Sequence, residues 1–163
     1  MKQLLVIRHA KSSWDVTALS DVDRQLNERG HNNAPMMAKR LLDKQITINA
    51  FVSSTAVRAL TTAIYFAATY QYSKNSILQI DELYNATAET IFKVVTSLPN
   101  TIETAAVFAH NPGITDFANM LTTTQIDNMP TCGIFAVKAQ CKDWADFRKA
   151  KKDFWFFDYP KNL

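Results

Sequence analysis

The sequence is poor in the residues that mark disordered chains, disulfide frameworks and metal-binding motifs. Its 163 residues include only 3 Gly, 5 Pro and 2 Cys. This scarcity of glycine and proline argues against collagen-like and low-complexity architectures. The two cysteines, Cys132 and Cys141, are too few and wrongly spaced for a zinc motif or a Cys-x-x-Cys redox pair, so we expect both to be reduced structural thiols.

Long apolar runs and a strong charge of one sign are also missing. No stretch approaches the ~18 consecutive apolar residues of a membrane span, which predicts a soluble, cytoplasmic protein with no membrane partner. The net charge of +3 is compatible with a site that attracts phosphate, but it is too mild for a nucleic-acid-binding surface. With 47% hydrophobic residues the chain can bury one core, and we predict a single domain over residues 1–163.

The stretch around which the chain is organised lies at its start. Four branched apolar residues, 4–7, run directly into Arg8 and His9. Such a run is typical of a strand that helices cover on both faces, and ligands of parallel sheets bind beyond the carboxyl ends of the strands. We therefore expect Arg8 and His9 at the mouth of a binding site.

Two later stretches repeat this succession of an apolar run, a polar tip and a helical pattern. Residues 51–54 lead to Arg58, and residues 105–109 lead to His110. If the three runs are neighbouring parallel strands, their tips gather two guanidiniums and two imidazoles, which repel each other when charged unless an anion lies between them. Phosphate is the expected anion, because the planar Arg side chain matches its oxygens bidentately.

The alternation of such runs with helical patterns predicts an α/β fold, a three-layer sandwich with a mostly parallel central sheet and helices on both faces. We expect Asn27 to cap a helix that is either bent early or begins near Pro35. Asn111 should cap a later helix with Pro112 at its first position. The aromatic and basic tail after residue 139 is interpreted as a capping helix and a last strand, in preference to a partner-binding surface.

Together these segments resemble the histidine phosphatase superfamily, which has the phosphoglycerate-mutase-like fold. LLVIRHAKSSWD, DVDRQLNERG, SSTAVRALTTA, DELYNAT and FAHNPGI occur in the order and rough spacing of its short branch typified by SixA, the phosphohistidine phosphatase. The resemblance covers residues 4–121. Ala10 and Gln25 stand where that branch commonly has Gly and Pro, and Asp15 stands where mutases of the superfamily carry a phosphate-binding Asn.

The resemblance implies a phosphatase in which His9 is the catalytic nucleophile. Its imidazole would take the phosphoryl group, and water would hydrolyse the resulting phosphohistidine. Arg8, Arg58 and His110 would bind the phosphate and neutralise the charge of the transition state, so that neither a metal nor another cofactor is needed.

Three further residues enter the predicted site around this group. Ser12 and Asp15 follow the first strand and are expected beside the bound phosphate. Glu82 is the candidate general acid, since it occupies the place where active members of the family bring in their acid, and Asp15 is the alternative. His31 matches no family position and is expected to be an exposed, non-catalytic side chain.

The substrate and the oligomeric state stay open at this point. We expect a phosphorylated protein or a small phosphorylated metabolite as the partner, no nucleic acid, and a monomer. The alternatives are a non-catalytic phosphate- or phosphoprotein-binding module and a phosphomutase. Mutases of this superfamily carry extra segments that retain the transferred phosphate, and 163 residues leave no room for them.

Overall fold

A six-stranded sheet forms the middle layer of the fold. The computed structural model describes residues 1–14 and 20–163. The strands are β1 (Lys2–Arg8), β2 (Ala50–Ser53), β3 (Leu78–Gln79), β4 (Thr104–Ala109), β5 (Ile134–Ala139) and β6 (Lys152–Asp158). The helices are α1 (Glu28–Asp43), α2 (Val57–Thr69), α3 (Ala88–Thr96) and α4 (Gly113–Asn119).

The sheet has the order β3-β2-β4-β1-β5-β6, with β4 and β1 in its centre. The first four strands in this order are parallel, whereas β5 is antiparallel to β1 and β6 is antiparallel to β5. The carboxyl ends of β1, β2 and β4 therefore lie at one edge of the sheet. Because two antiparallel steps restore the direction of β1, the carboxyl end of β6 lies at that edge as well.

Apolar side chains of β1 alternate between two cores, one on each face of the sheet. Leu4 and Val6 pack into the core that includes residues of α3 and α4. Leu5 and Ile7 pack into the opposite core, with residues of α1 and α2. This double burial explains why the strand is apolar throughout, and it confirms the predicted α/β sandwich. No helix of the described chain has the length and apolar character needed to cross a membrane.

Four local predictions need correction: the start of α1, the position of Pro112, the Asn111 cap and the helix of the tail. The helix α1 does not begin near Pro35: it begins at Glu28, and Pro35 lies inside it. The Asn27 side chain accepts a hydrogen bond from the Gly30 N–H at 2.9 Å, so the predicted cap is confirmed. Pro112 is the residue before α4 rather than its first residue.

Asn111 does not cap α4; its side chain instead forms hydrogen bonds that connect this helix to the loop containing Met129. Its amide nitrogen donates to the Met129 carbonyl oxygen at 3.1 Å, and its oxygen accepts from the Thr115 hydroxyl at 2.6 Å. The tail contains the predicted last strand, β6, but a single 3-10 turn at Trp144–Asp146 replaces the predicted capping helix. The Trp144 ring is fully buried, and its Nε1 donates to the Ile102 carbonyl at 2.8 Å.

Candidate active site

A cavity of about 200 Å³ opens at the carboxyl edge of the sheet. It contains five of the seven predicted site residues, which are Arg8, His9, Ser12, Arg58 and His110. Asp15 lies outside the described residues. The remaining lining residues are Lys11, Trp14, Arg24, Asn85, Asn111 and Thr131.

His9 directly follows β1, and its ring is held in one tautomer. Its Nδ1 lies 2.7 Å from the carbonyl oxygen of Ala10, which can only accept, so Nδ1 carries the proton and Nε2 keeps a free lone pair. The Ala10 N–H in turn donates to the Thr62 hydroxyl at 3.0 Å, which fixes the carbonyl's own position. The acceptor that orients a nucleophilic imidazole is thus a backbone group.

Burial keeps the His9 imidazole neutral. Only 6% of the residue is exposed. Burial lowers the pKa of His9 to about 3, opposed by the hydrogen bond to Ala10 and assisted by the charges of His110, Arg8 and Arg58. A neutral imidazole with a free Nε2 is the form that can attack phosphorus near neutral pH.

His110 faces His9 from the end of β4, with 5.3 Å between the ring centroids. Its Nε2 lies 2.8 Å from Ser54 Oγ, which also accepts a hydrogen bond from the Ala56 N–H at 3.2 Å. The Ser54 hydroxyl can donate its proton to Nε2, and in that tautomer the ring proton of neutral His110 is on Nδ1. Burial, followed by the charge of Arg58, lowers the pKa of His110 to about 4.

The two arginines leave part of their donor capacity for a ligand. Arg8 donates through Nη1 to the Met129 carbonyl at 2.9 Å. Arg58 donates through Nη1 to the Asp21 carbonyl at 2.7 Å and through Nη2 to the Asp21 carboxylate at 3.0 Å. The Nε atoms of Arg8 and Arg58 and Nδ1 of His110 are buried and have no hydrogen-bond partner among the described residues. Buried donors without partners are costly, and an oxyanion among them would satisfy all three.

A polar cluster around Arg24, which the sequence patterns did not predict, supports these arginines. Arg24 donates to the Ser12 hydroxyl and, at 3.2 Å, to the Ser13 carbonyl, and it stacks on the Trp14 ring at 3.3 Å from the centroid. Its Nη1 also lies 2.8 Å from the Asp21 carboxylate. The only sequence signal for this cluster is the charged run DVDR, which pairs Asp21 and Arg24 at a spacing of three residues.

Asp21 is the centre of that cluster. The Tyr84 hydroxyl donates to its carboxylate at 2.5 Å, in addition to the bonds from Arg24 and Arg58. The bond from Tyr84, then those from Arg24 and Arg58, hold the pKa of the Asp21 carboxyl well below its usual range, against the opposing effect of partial burial. Asp21 is therefore ionised at neutral pH.

The structure does not bring Glu82 into this pocket. Glu82 lines a separate cavity of about 360 Å³ beside Ile80, Thr90 and Leu98. Asp81–Leu83 is a 3-10 turn; after it, Asn85 lines the pocket, and the Tyr84 ring lies beside His110 with 5.6 Å between the ring centroids. The expected position of Glu82 is thus corrected, and the segment contributes Tyr84 and Asn85 instead.

His31 lies outside the pocket, as expected of a non-catalytic side chain. His31 is exposed on α1, where its Nδ1 lies 2.8 Å from the Tyr65 hydroxyl. Within residues 1–14 and 20–163, no group of three or more His, Cys, Asp or Glu side chains is placed to hold a metal ion.

Solved structures share the fold over nearly the whole chain. A protein of Agrobacterium tumefaciens assigned as a SixA phosphohistidine phosphatase matches with a TM-score of 0.82 and 23% identity, covering 98% of both chains. A protein histidine phosphatase SixA in complex with tungstate matches with a TM-score of 0.82 and 20% identity, also covering 98% of both chains. At these identities the likeness shows a common fold.

The family follows from the sequence. The pattern of the histidine phosphatase superfamily (branch 1) matches residues 4–85, which is half of the chain. The chain belongs to this superfamily. Among curated relatives, an uncharacterized chloroplastic protein of Arabidopsis thaliana is 28% identical over 154 residues, covering 89% of this chain and 70% of that protein. An uncharacterized protein of Mycobacterium leprae is 28% identical over 140 residues, covering 78% of this chain and 84% of that protein.

Proposed function

We propose that this protein is a phosphatase that acts through a phosphohistidine on His9, with a protein phosphohistidine or a small phosphomonoester as its substrate. One observation carries the proposal: the free lone pair of His9 shares a pocket with three buried donors that have no partner among the described residues. A nucleophile and a set of donors for phosphoryl oxygens are the two parts that this chemistry requires.

The reaction has two displacements at phosphorus. In the first, His9 Nε2 forms a bond to phosphorus while the bond from phosphorus to the leaving group breaks. In the second, a water oxygen attacks the phosphohistidine, the bond to Nε2 breaks, and inorganic phosphate leaves. Arg8, Arg58 and His110 donate to the phosphoryl oxygens in both steps, where their hydrogen bonds stabilise the transition state.

Within residues 1–14 and 20–163, which leave out Asp15, the carboxylates near the site favour a leaving group that needs no carboxylic acid. Asp21 is held ionised by Arg24, Arg58 and Tyr84, and Glu82 lies in another cavity. An alkoxide needs a proton to depart, whereas the imidazole of a phosphohistidine and a nitrophenolate depart more readily. Phosphohistidine is for this reason the preferred substrate class, and the fold shared with a protein histidine phosphatase is in line with it.

The decisive experiment measures phosphate release from a phosphohistidine protein and from p-nitrophenyl phosphate. Wild type should release phosphate from both and, after an alkaline quench, retain a base-stable, acid-labile phosphate. His9→Ala should do neither, while His31→Ala, which removes an exposed imidazole on α1, should behave as wild type. Full activity of His9→Ala would exclude the covalent mechanism.

The same assay tests two remaining alternatives. A phosphoprotein-binding module would protect the phosphohistidine from spontaneous hydrolysis without releasing phosphate. Glu82→Gln should leave the ratio of the rates for an alkyl phosphate and p-nitrophenyl phosphate unchanged, because the side chain lines a different cavity. A loss confined to the alkyl phosphate would restore Glu82 as the general acid.

A further inference from the structure

A second cavity adjoins the pocket of His9. It has a volume of about 380 Å³, within the range of small-molecule sites. Thr131 lines both cavities, so the two share a wall. The other lining residues are Arg29, Asn33, Pro130, Tyr159, Pro160 and Lys161.

Residues 159–161, which follow β6, form one wall of this cavity. Arg40 of α1 holds this segment in place through hydrogen bonds. Arg40 Nη1 donates to the Asp158 carboxylate at 3.0 Å and to the carbonyl oxygens of Tyr159 and Asn162 at 3.1 and 3.0 Å. Asp158 is buried, and its Oδ1 also accepts from the Asn162 amide at 3.1 Å. The carboxyl end of β6 is therefore held beside the site by a network of hydrogen bonds.

The charged side chains that line this cavity are all positive. Arg29 and Lys161 are its charged lining residues, and neither forms an ion pair with another described residue. Some surface cations are paired, as Arg148 is with Glu89 at 2.6 Å, whereas Lys74 and Lys151, like Arg29 and Lys161, form no ion pair with a described residue. Pro130, Tyr159 and Pro160 also line the cavity, and their apolar groups suit the carbon skeleton of a ligand.

We propose that this cavity is a subsite for a second acidic group of the substrate, a carboxylate or a phosphate, bound while the scissile phosphoryl group lies at His9. The inference rests on the proposed phosphatase function and adds selectivity to it. Arg29 and Lys161 attract the second anion, and Thr131 lies between the two groups. In a protein substrate the group is an Asp or Glu side chain near the phosphohistidine; in a metabolite it is a second acid on the same molecule.

The test compares substrates that differ only in the second acid. One arm uses phosphohistidine peptides with Glu or Gln at positions flanking the phosphohistidine; the other uses carboxyalkylphenyl phosphates of increasing chain length and their uncharged carboxamides. For at least one spacing, wild type should prefer the acidic member in kcat/KM on the order of fivefold, the scale expected of two partly exposed charge pairs. The arm that shows the preference identifies the source of the anion.

Two double variants assign the preference to the cavity. Arg29→Gln/Lys161→Gln should bring the ratio between acidic and neutral substrates close to one. Lys74→Gln/Lys151→Gln removes the same charge from exposed positions before β3 and β6, at the opposite edge of the sheet, and should keep the ratio. An unchanged ratio in the Arg29/Lys161 variant, or equal turnover of every pair by wild type, overturns the inference while the phosphatase function stands.

A binding measurement separates this inference from the function on which it rests. Calorimetric titration of His9→Ala with the same pairs requires no turnover. Tighter binding of the acidic members, lost in the triple variant with Arg29→Gln and Lys161→Gln, supports the subsite even if hydrolysis fails. Equal affinities for every acidic and neutral pair contradict it.

Discussion

Acid should destabilise this protein through His9 and His110, the two buried imidazoles of its site. The pKa of His9 is about 3 and that of His110 about 4 in the folded chain, whereas an ordinary histidine has 6.5. Because the unfolded chain binds these protons more tightly, protonation favours unfolding, and stability falls as the pH decreases below 6.5. The fall continues for each histidine until the pH reaches its folded-state pKa.

The size of the effect follows from the two shifts. Between about pH 8 and about pH 5, each histidine lowers the free energy of unfolding by about 2 kcal/mol. Urea unfolding at both pH values, followed by tryptophan fluorescence in a buffer without phosphate, should detect a combined loss of about 4 kcal/mol. Phosphate must be absent, since a bound oxyanion favours the charged imidazoles.

Replacement of one imidazole should remove its share of the acid sensitivity. His9→Gln should lose about 2 kcal/mol less than wild type over this pH interval, whatever its stability at about pH 8. His31→Gln, which removes the exposed imidazole on α1, serves as the control and should keep the wild-type loss. If His9→Gln and wild type lose the same free energy, the burial of a neutral His9 has been misjudged.

Two further predictions concern groups that hold the site in place. Ser54→Ala should lower kcat about tenfold with little change in KM, because His110 loses the hydrogen bond that keeps its proton on Nδ1. The control is Ser53→Ala, which should keep the wild-type kcat because the Ser53 hydroxyl donates to the Ser54 carbonyl and not to His110. Equal effects of the two variants would contradict the positioning role of Ser54. Gly30→Ala should destabilise the fold by about 1–3 kcal/mol in urea unfolding, since the new Cβ would lie 2.2 Å from the Lys11 carbonyl oxygen, and an unchanged midpoint would refute this close approach.

The sequence was sufficient for the parts of the site that follow from strand geometry. Arg8 ends β1, His9 follows it, and His110 follows β4, the parallel neighbour of β1, so their proximity is a consequence of strand direction. Arg58 lies at the second position of α2, which places it at the same edge. The fold class could be predicted for the same reason, since uninterrupted apolar strands require cover on both faces.

The residues that sequence analysis misplaced or missed lie in segments without a period. Asp81–Leu83 forms a 3-10 turn, and its rotation decides which side chain of this turn and the following Tyr84 faces the site. An element of three residues has no hydrophobic period from which that rotation could be predicted. Asp21 contacts Arg58 and Tyr84, which are distant in the chain. Arg24 lines the pocket and bonds to Ser12 and Ser13, which lie in the separate segment of residues 1–14. Contacts of this kind have no local signature.

The acid sensitivity and the proposed activity have a common physical origin. Burial of His9 and His110 beside two guanidiniums costs folding free energy, because these groups lose water and, when charged, repel each other. A bound phosphoryl group offsets both of these costs. It accepts hydrogen bonds from the buried donors in place of water, and its negative charge attracts the cations. A ligand that binds the folded state in this way also stabilises it. Tungstate or phosphate should therefore raise Tm more at about pH 5.5 than at about pH 8, and an equal rise would show that His9 and His110 stay neutral in the complex.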